Sequence, residues 1–135
     1  MNIYLINKGT EQIYNVHTYF STDIENSAGI TTRGLSAALD KKEHAKFVKE
    51  LRHNDDYKNL AKPQLGVGET VWSTVGLQSL TSDQISGLAN GNSRFYFFAY
   101  GRWDNSEKDL DICRWLQAPE STQVKQWNAV WHYCD

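Results

Sequence analysis

The chain has 135 residues, a length that can bury a core without a metal or a covalent staple, and residues 1–135 are predicted to form one domain. Hydrophobic residues make up 40% of it and aromatic residues 13%, a composition that excludes a disordered chain. The formal net charge is -2 with basic residues spread along the sequence, and no apolar run approaches the about 20 residues that cross a bilayer, so neither nucleic acid nor direct membrane contact is expected.

The amino-terminal segment has strand patterns on both sides of a turn. Ile3 and Leu5 point to the side opposite Tyr4 and Ile6 in an extended chain, and residues 13–20 continue with a similar two-residue period. The Asn-Lys-Gly-Thr sequence of residues 7–10, between them, is typical of a turn. This arrangement predicts a hairpin or another strand pair. Residues 21–38 are rich in Ser, Thr, Gly and Ala, so we expect a loop or an irregular edge segment there.

A helix is predicted next. Asp40 suits the N-cap position, and Glu43, three residues on, can complete a capping box. Phe47, Val48 and Leu51 then share one helical face, opposite several lysines. The helix is therefore expected to begin near Asp40 and to pack through these three apolar side chains.

A strand over residues 69–80 and a short helical turn are predicted after that helix. The strand is indicated by alternating apolar and polar side chains. Thr81 or Ser82 can cap the helical turn, and Gly91 can end it. Ile85 and Leu88 are expected to face inward.

Three strands are predicted at about residues 94–103, 109–117 and 126–134. We expect the last two to pair with Asp109 opposite Cys134, because that register makes one continuous apolar face. On this dry face, three residues of one strand oppose three of the other: Leu110, Ile112 and Leu116 against Tyr133, Trp131 and Trp127. The other face is expected to be wet and carries Asp111, Cys113, Trp115 and His132.

These elements predict an all-β fold, an immunoglobulin-like antiparallel β-sandwich with one inserted helix and a short helical turn. Residues 95–100 have rings on both faces, which indicates a central strand. One of its faces would meet the opposing sheet, and the other would meet helices or loops.

Three segments carry a resemblance to a known family: INKGTEQIYNV, LTSDQISGLANGNSRFYFFAYGRWDN and DICRW. They resemble the carboxy-terminal domain of uncharacterised bacterial proteins that have one or two transmembrane helices followed by an immunoglobulin-like sandwich outside the cytoplasm. The resemblance implies a periplasmic or other extracytoplasmic location, with the domain tethered to a membrane in a longer parent. No activity is assigned to that family, so the resemblance implies fold and location more than function. The chain opens inside a strand pattern, as expected if an anchor has been removed.

Cys113 and Cys134 are the two cysteines, and in an extracytoplasmic domain they could form a disulfide. In the register above, Cys113 lies opposite Val130, so Cys134 is roughly 13 Å away at about 3.3 Å per residue. A disulfide needs Cα atoms within about 7 Å. Two free thiols are therefore favoured, although a bulge or a curled carboxy terminus could still allow the bridge.

Trp115, Asp111 and His132 are the candidate binding residues, because an exposed Trp beside polar groups suits a protein, peptide or carbohydrate contact. The competing interpretation, slightly favoured, is that a helix or loop covers this face. Asp111, His132 and Cys134 could also approach one another as metal ligands. Zinc-ligand spacing is missing, however, and no metal or cofactor is predicted.

Several carboxylates crowd one hairpin: Asp104, Glu107, Asp109 and Asp111. Paired carboxylates beside an aromatic cleft suit glycoside hydrolysis, and an acidic tip can bind calcium. Hairpin carboxylates are usually solvent-facing turn residues, so no catalytic residue is predicted.

The predicted function is a non-catalytic extracytoplasmic interaction or assembly domain whose partner is another protein. The alternatives are a small β-fold hydrolase that uses the hairpin carboxylates and a domain that senses a small ligand. An exposed Trp115 in a flat apolar patch would favour the interaction domain. A pocket with two or more acidic groups would favour the hydrolase, and a deep, dry cavity beside residues 95–100 would favour the sensor.

Overall fold

The computed structural model describes residues 2–30, 32–53, 62–74, 80–116 and 131–135. These ranges contain seven strands and two helices: β1 (Asn2–Ile6), β2 (Ile13–Asn26), α1 (Arg33–His53), β3 (Lys62–Leu65), β4 (Thr70–Thr74), α2 (Ser82–Asn90), β5 (Ser93–Arg102), β6 (Leu110–Leu116) and β7 (Trp131–Tyr133). The described chain is thus mostly β, as predicted. Within these ranges, neither helix has the length and apolar composition that a bilayer crossing requires.

The strands form two antiparallel sheets. Five strands are ordered β3-β2-β5-β6-β7, and β1 pairs with β4 in a separate two-stranded sheet. The central place of β5 confirms the interpretation of its two aromatic faces. The predicted amino-terminal hairpin is wrong, because the turn after β1 carries the chain from one sheet to the other. The Asn7 side chain holds that crossing by donating hydrogen bonds to the carbonyl oxygens of Glu11 and Leu65, at 2.9 and 3.0 Å.

The predicted loop over residues 21–38 is also wrong, since β2 continues to Asn26 and α1 begins at Arg33. Polar side chains of this part of β2 point at α1 and find partners there. The Glu50 carboxylate, for example, accepts hydrogen bonds from the hydroxyls of Tyr19 and Ser21, at 2.7 and 3.3 Å. A composition typical of loops is therefore accommodated in a strand because the helix satisfies its polar groups.

The predicted N-cap of α1 is wrong as well. The helix begins seven residues before Asp40, and the Leu35 amide donates to the Thr32 hydroxyl at 3.4 Å. Asp40 lies inside the helix and is buried. The predicted apolar face is confirmed, because Phe47 and Leu51 are buried and the Phe47 ring stacks on Phe98 with centroids 5.0 Å apart.

The second helix matches its prediction closely. Thr81 is the N-cap of a complete capping box with Gln84, and Gly91 ends α2 in the left-handed region at φ 83°. Leu88 is buried as expected, whereas Ile85 is 49% exposed, so only one of the two predicted inward-facing side chains is in the core.

Strands β5 and β6 lie within two residues of their predicted bounds, but the register of β6 with β7 differs. Tyr133 is opposite Arg114 rather than Leu110, a displacement of four residues along β6. An even displacement keeps every side chain on its predicted face, so the alternating pattern cannot distinguish the two registers. Further parts of the predicted strands, at residues 75–79, 117 and 126–130 with Trp127, lie outside the described residues.

Helix α1 covers one face of the five-stranded sheet, here called the helix face. Its side chains include Tyr96 and Phe98 of the buried core, with Cys113 and Trp115 packed against them. This is the face that was predicted to be wet. On the opposite side, the far face, Trp131 and Tyr133 are exposed, so the predicted dry face is wrong at β7.

Candidate functional site

The three predicted binding residues lie together on the helix face. Trp115 pairs with His132 across β6 and β7, and their rings stack with centroids 4.1 Å apart. The Arg94 guanidinium lies 3.8 Å from the centroid of the same Trp115 ring. Trp115 is therefore half-buried in the core rather than exposed, which agrees with the interpretation that a helix covers this face. Binding by Trp115, Asp111 and His132 stays a prediction.

A buried polar network lies next to Trp115. The Tyr96 hydroxyl donates to Asp40 at 2.5 Å, and Arg94 donates to Asp40 and Ser36 at 3.3 and 2.9 Å. The other Asp40 oxygen accepts from the Asp135 amide at 2.8 Å. Burial, and then the bond to Asp40, raise the pKa of Tyr96. The network joins α1, β5 and the end of the described chain, so Asp40 has a structural role that its helix-cap interpretation missed.

Asp111 lies on a cavity of about 290 Å³ at the edge of this network. His44 on α1 approaches both Asp111 carboxylate oxygens at 2.9 Å, and Asp40 and Asp135 also line the cavity. Three acidic residues meet the condition set for the hydrolase alternative. Of these three, Asp111 is the one that belongs to the hairpin on which that alternative depends, and both Asp40 oxygens already accept hydrogen bonds.

The same cavity is bounded by a disulfide between Cys113 and Cys134, whose Cα atoms are 5.5 Å apart. The favoured prediction of two free thiols is therefore wrong. Its cause is the register: the observed displacement places the two cysteines opposite each other, with the Cys134 amide donating to the Cys113 carbonyl at 3.3 Å.

Three of the four hairpin carboxylates have separate partners rather than a shared one. Asp104 accepts from the Asn15 side chain at 2.6 Å, Asp109 accepts from the Tyr100 hydroxyl at 2.6 Å, and Asp111 pairs with His44. These contacts tie the hairpin to neighbouring strands and, through Asp111, to α1.

Two aromatic side chains of β7 that were predicted to lie in the core are exposed on the far face. Trp131 is 42% exposed and Tyr133 is 74% exposed. The Arg114 guanidinium lies 3.8 Å from the Tyr133 ring centroid, and Trp131 packs at 6.1 and 6.2 Å from the rings of Phe95 and Phe97. We call Arg114, Trp131 and Tyr133 the aromatic edge.

A group of carboxylates, the acidic seam, lies between β2 and α1 and is formed by Asp23, Glu25 and Glu43. Their oxygen atoms lie within 4.8 Å of one another. The Lys46 ammonium is 2.6 Å from Glu25, 2.9 Å from Glu43 and 3.8 Å from Asp23. Burial raises the pKa of Glu43 to about 7, against the opposing effect of Lys46, and the bonds to Glu25 and Glu43 raise the pKa of Lys46. Sequence reasoning missed this group because Asp23 and Glu25 were assigned to a loop.

A larger cavity of about 460 Å³ is lined by residues of both sheets. Its apolar walls include Leu5, Val16, Leu65, Val71, Trp103 and Leu110. Lys8 and Glu11 lie on its lining and are exposed.

No protein-family model, curated protein or solved structure matches this chain. The candidate function is therefore drawn from the described side chains.

Proposed function

We propose that this chain is a non-catalytic interaction domain of an extracytoplasmic compartment, with an immunoglobulin-like sandwich fold, and that it contacts another protein through the aromatic edge. The observation that carries the proposal is the exposure of Trp131 and Tyr133, at 42% and 74%, beside Arg114 on the outermost described strand pair. Trp, Tyr and Arg are the residue types that contribute most of the energy at protein interfaces.

The aromatic edge is held in place before any partner arrives. Trp131 rests on the rings of Phe95 and Phe97, and the Arg114 guanidinium covers one side of Tyr133. Side chains that are already ordered lose less conformational entropy on binding, which otherwise costs about 0.5–1.5 kcal/mol per side chain. A partner would therefore gain apolar contact with the exposed ring surface at a low ordering cost.

The disulfide supports the proposed compartment. Protein disulfides form and persist in oxidising environments such as the periplasm and the cell exterior. The Cys113–Cys134 bridge is compatible with such a location and with the membrane-tethered family that the sequence resembles. Trapping thiols with an alkylating agent directly in the source cells tests it: a protein with two reactive thiols would contradict the proposed location.

Photo-crosslinking in the source cells tests the interaction surface. A benzophenone amino acid at Tyr133 should give one defined protein adduct, and Trp131→Ala in the same chain should reduce its yield at least about tenfold, as expected for an interface hot spot. Tyr14 is the matched control, because it is another strand tyrosine and is 51% exposed. An equal adduct at Tyr14, or none at Tyr133, would refute the proposed surface.

The inter-sheet cavity supports a second candidate, the binding of a small apolar ligand. Its volume of about 460 Å³ is within the roughly 300–1,000 Å³ range of small-molecule sites, and its walls are mostly apolar. An apolar fluorescent probe should bind there, and Val16→Phe, which fills the cavity, should abolish that binding. Probe binding that survives Val16→Phe but is lost in Trp131→Ala would place the probe on the aromatic edge instead.

A further inference from the structure

The acidic seam brings three carboxylates from two elements to one point. Asp23 and Glu25 are two residues apart on β2 and therefore point to the same face, toward Glu43 on α1. All three offer oxygen atoms within 4.8 Å of one another. Calcium ligands lie about 2.3–2.6 Å from the ion, so two oxygen atoms on opposite sides of one ion are roughly 4.6–5.2 Å apart. A separation of 4.8 Å or less is therefore compatible with a shared calcium ion.

Glu43 gives this group a second and independent feature. Its side chain is fully buried, and apart from its contact with Lys46 no hydrogen bond reaches either of its oxygens in the described part of the chain. One oxygen has the Lys46 ammonium at 2.9 Å as an ion-pair partner. When all three carboxylates are ionised, as metal binding requires, they face one ammonium and the local charge is -2. A buried carboxylate that lacks hydrogen bonds and full neutralisation is costly.

We propose that Asp23, Glu25 and Glu43 form a binding site for a divalent cation that prefers oxygen ligands, such as Ca²⁺, and that Lys46 is the counter-ion displaced when the metal binds. A divalent cation in place of the ammonium would reduce the net negative charge from -2 to -1. Carboxylates without sulfur or imidazole ligands favour Ca²⁺, Mg²⁺ or Mn²⁺ over Zn²⁺.

The surroundings of the seam allow this exchange. The Lys46 side chain is 48% exposed, so its flexible stem can turn the ammonium into water. Asp23 is 45% exposed and Glu25 is 24% exposed, which leaves an entry path and room for water ligands. Because Lys46 competes with the metal, we expect weak binding, about 0.1–1 mM, comparable to extracellular calcium modules.

Isothermal titration of the full chain with CaCl₂, MgCl₂ and MnCl₂ tests the proposal. One site is expected, and Glu43→Gln should weaken binding at least about tenfold, because an amide removes one negative charge from the ligand set. Lys46→Met should tighten binding, because it keeps the stem and removes the competing cation. Glu50→Gln is the matched control: Glu50 is on the same helix and contacts Tyr19 and Ser21 of β2, outside the seam.

Two further measurements keep the test decisive. Glu25→Gln repeats the charge removal at a partly exposed position if Glu43→Gln does not fold, and Mn²⁺ should broaden the NMR signals of residues 23–25 and 43–46 ahead of all others. Absence of binding to the wild-type chain at about 10 mM metal would overturn the proposal, since that is well above the expected affinity. Binding seen only in Lys46→Met, or weakened as much by Glu50→Gln as by Glu25→Gln, would overturn it too. The outcome is independent of the proposed protein partner.

Discussion

Removal of the Cys113–Cys134 bridge should destabilise the domain substantially. The two cysteines are 21 residues apart, and the loop-closure entropy that such a bridge removes from the unfolded chain is about 11 cal/mol/K, or about 3.4 kcal/mol at 25 °C. For a domain of 135 residues this corresponds to a fall in Tm of about 10–20 °C. The loop-closure entropy depends on the chain separation alone, so the same loss is expected from reduction and from a double Cys→Ala variant.

Urea unfolding of three samples measures the effect: the oxidised chain, the same chain in reductant, and Cys113→Ala with Cys134→Ala. The reduced and substituted chains should both lose about 3 kcal/mol of unfolding free energy relative to the oxidised one. Agreement between them shows that the covalent constraint, not the buried sulfur atoms, is responsible. A loss under about 1 kcal/mol would refute the loop-closure argument, and two reactive thiols in protein purified without reductant would contradict the bridge itself.

Three further predictions concern stability, each measured by urea unfolding. Phe47→Ala should cost about 3–5 kcal/mol because the ring is 2% exposed in the core, whereas Ile85→Ala, at a 49% exposed position, should cost under about 1 kcal/mol. Trp131→Ala should cost only about 1–2 kcal/mol, since its ring is 42% exposed; a loss of 3–5 kcal/mol would restore the core position that the sequence predicted. Burial raises the pKa of Glu43 from 4.5 to about 7, so between these pH values the folded chain binds a proton that the unfolded chain does not. The contribution of Glu43 to the free energy of unfolding should therefore be greatest below pH 4.5 and should fall as the pH rises through 7. The loss should be at most about 1–2 kcal/mol, because the exposed Asp23 and Lys46 lie beside it. Glu43→Gln should remove this pH dependence, and an unchanged dependence would mean that another group titrates.

Local signals in the sequence predicted several elements well. The capping box of α2 and its terminating Gly91 depend on residues three to nine positions apart, and both are present. The aromatic run of β5 indicated a strand covered on both sides, and it lies at the centre of the five-stranded sheet. These features are set by contacts between near neighbours or by the burial of rings, so they can be recognised without the rest of the fold.

The candidate site was predicted only in part. The shared face of Trp115, Asp111 and His132 followed correctly from side-chain alternation, because an even register displacement leaves faces unchanged. The partners of these residues did not follow, since Arg94 stacks on Trp115 and His44 pairs with Asp111 across long sequence separations. The acidic seam was missed because Asp23 and Glu25 were assigned to a loop, whereas they lie on β2 and meet Glu43 of α1.

By itself, the sequence determined the mainly β character, the apolar face of α1 through Phe47 and Leu51, and the side-chain parity of the carboxy-terminal strands. Only the tertiary structure decided that β1 pairs with β4, that Cys113 meets Cys134, and that α1 covers the face of Trp115. Periodicity specifies which side chains share a face, but it is unchanged by an even shift along a strand and carries no information about which element covers each face. Those choices depend on contacts between distant segments, here the ring of Phe47 on the sheet and the disulfide at its edge.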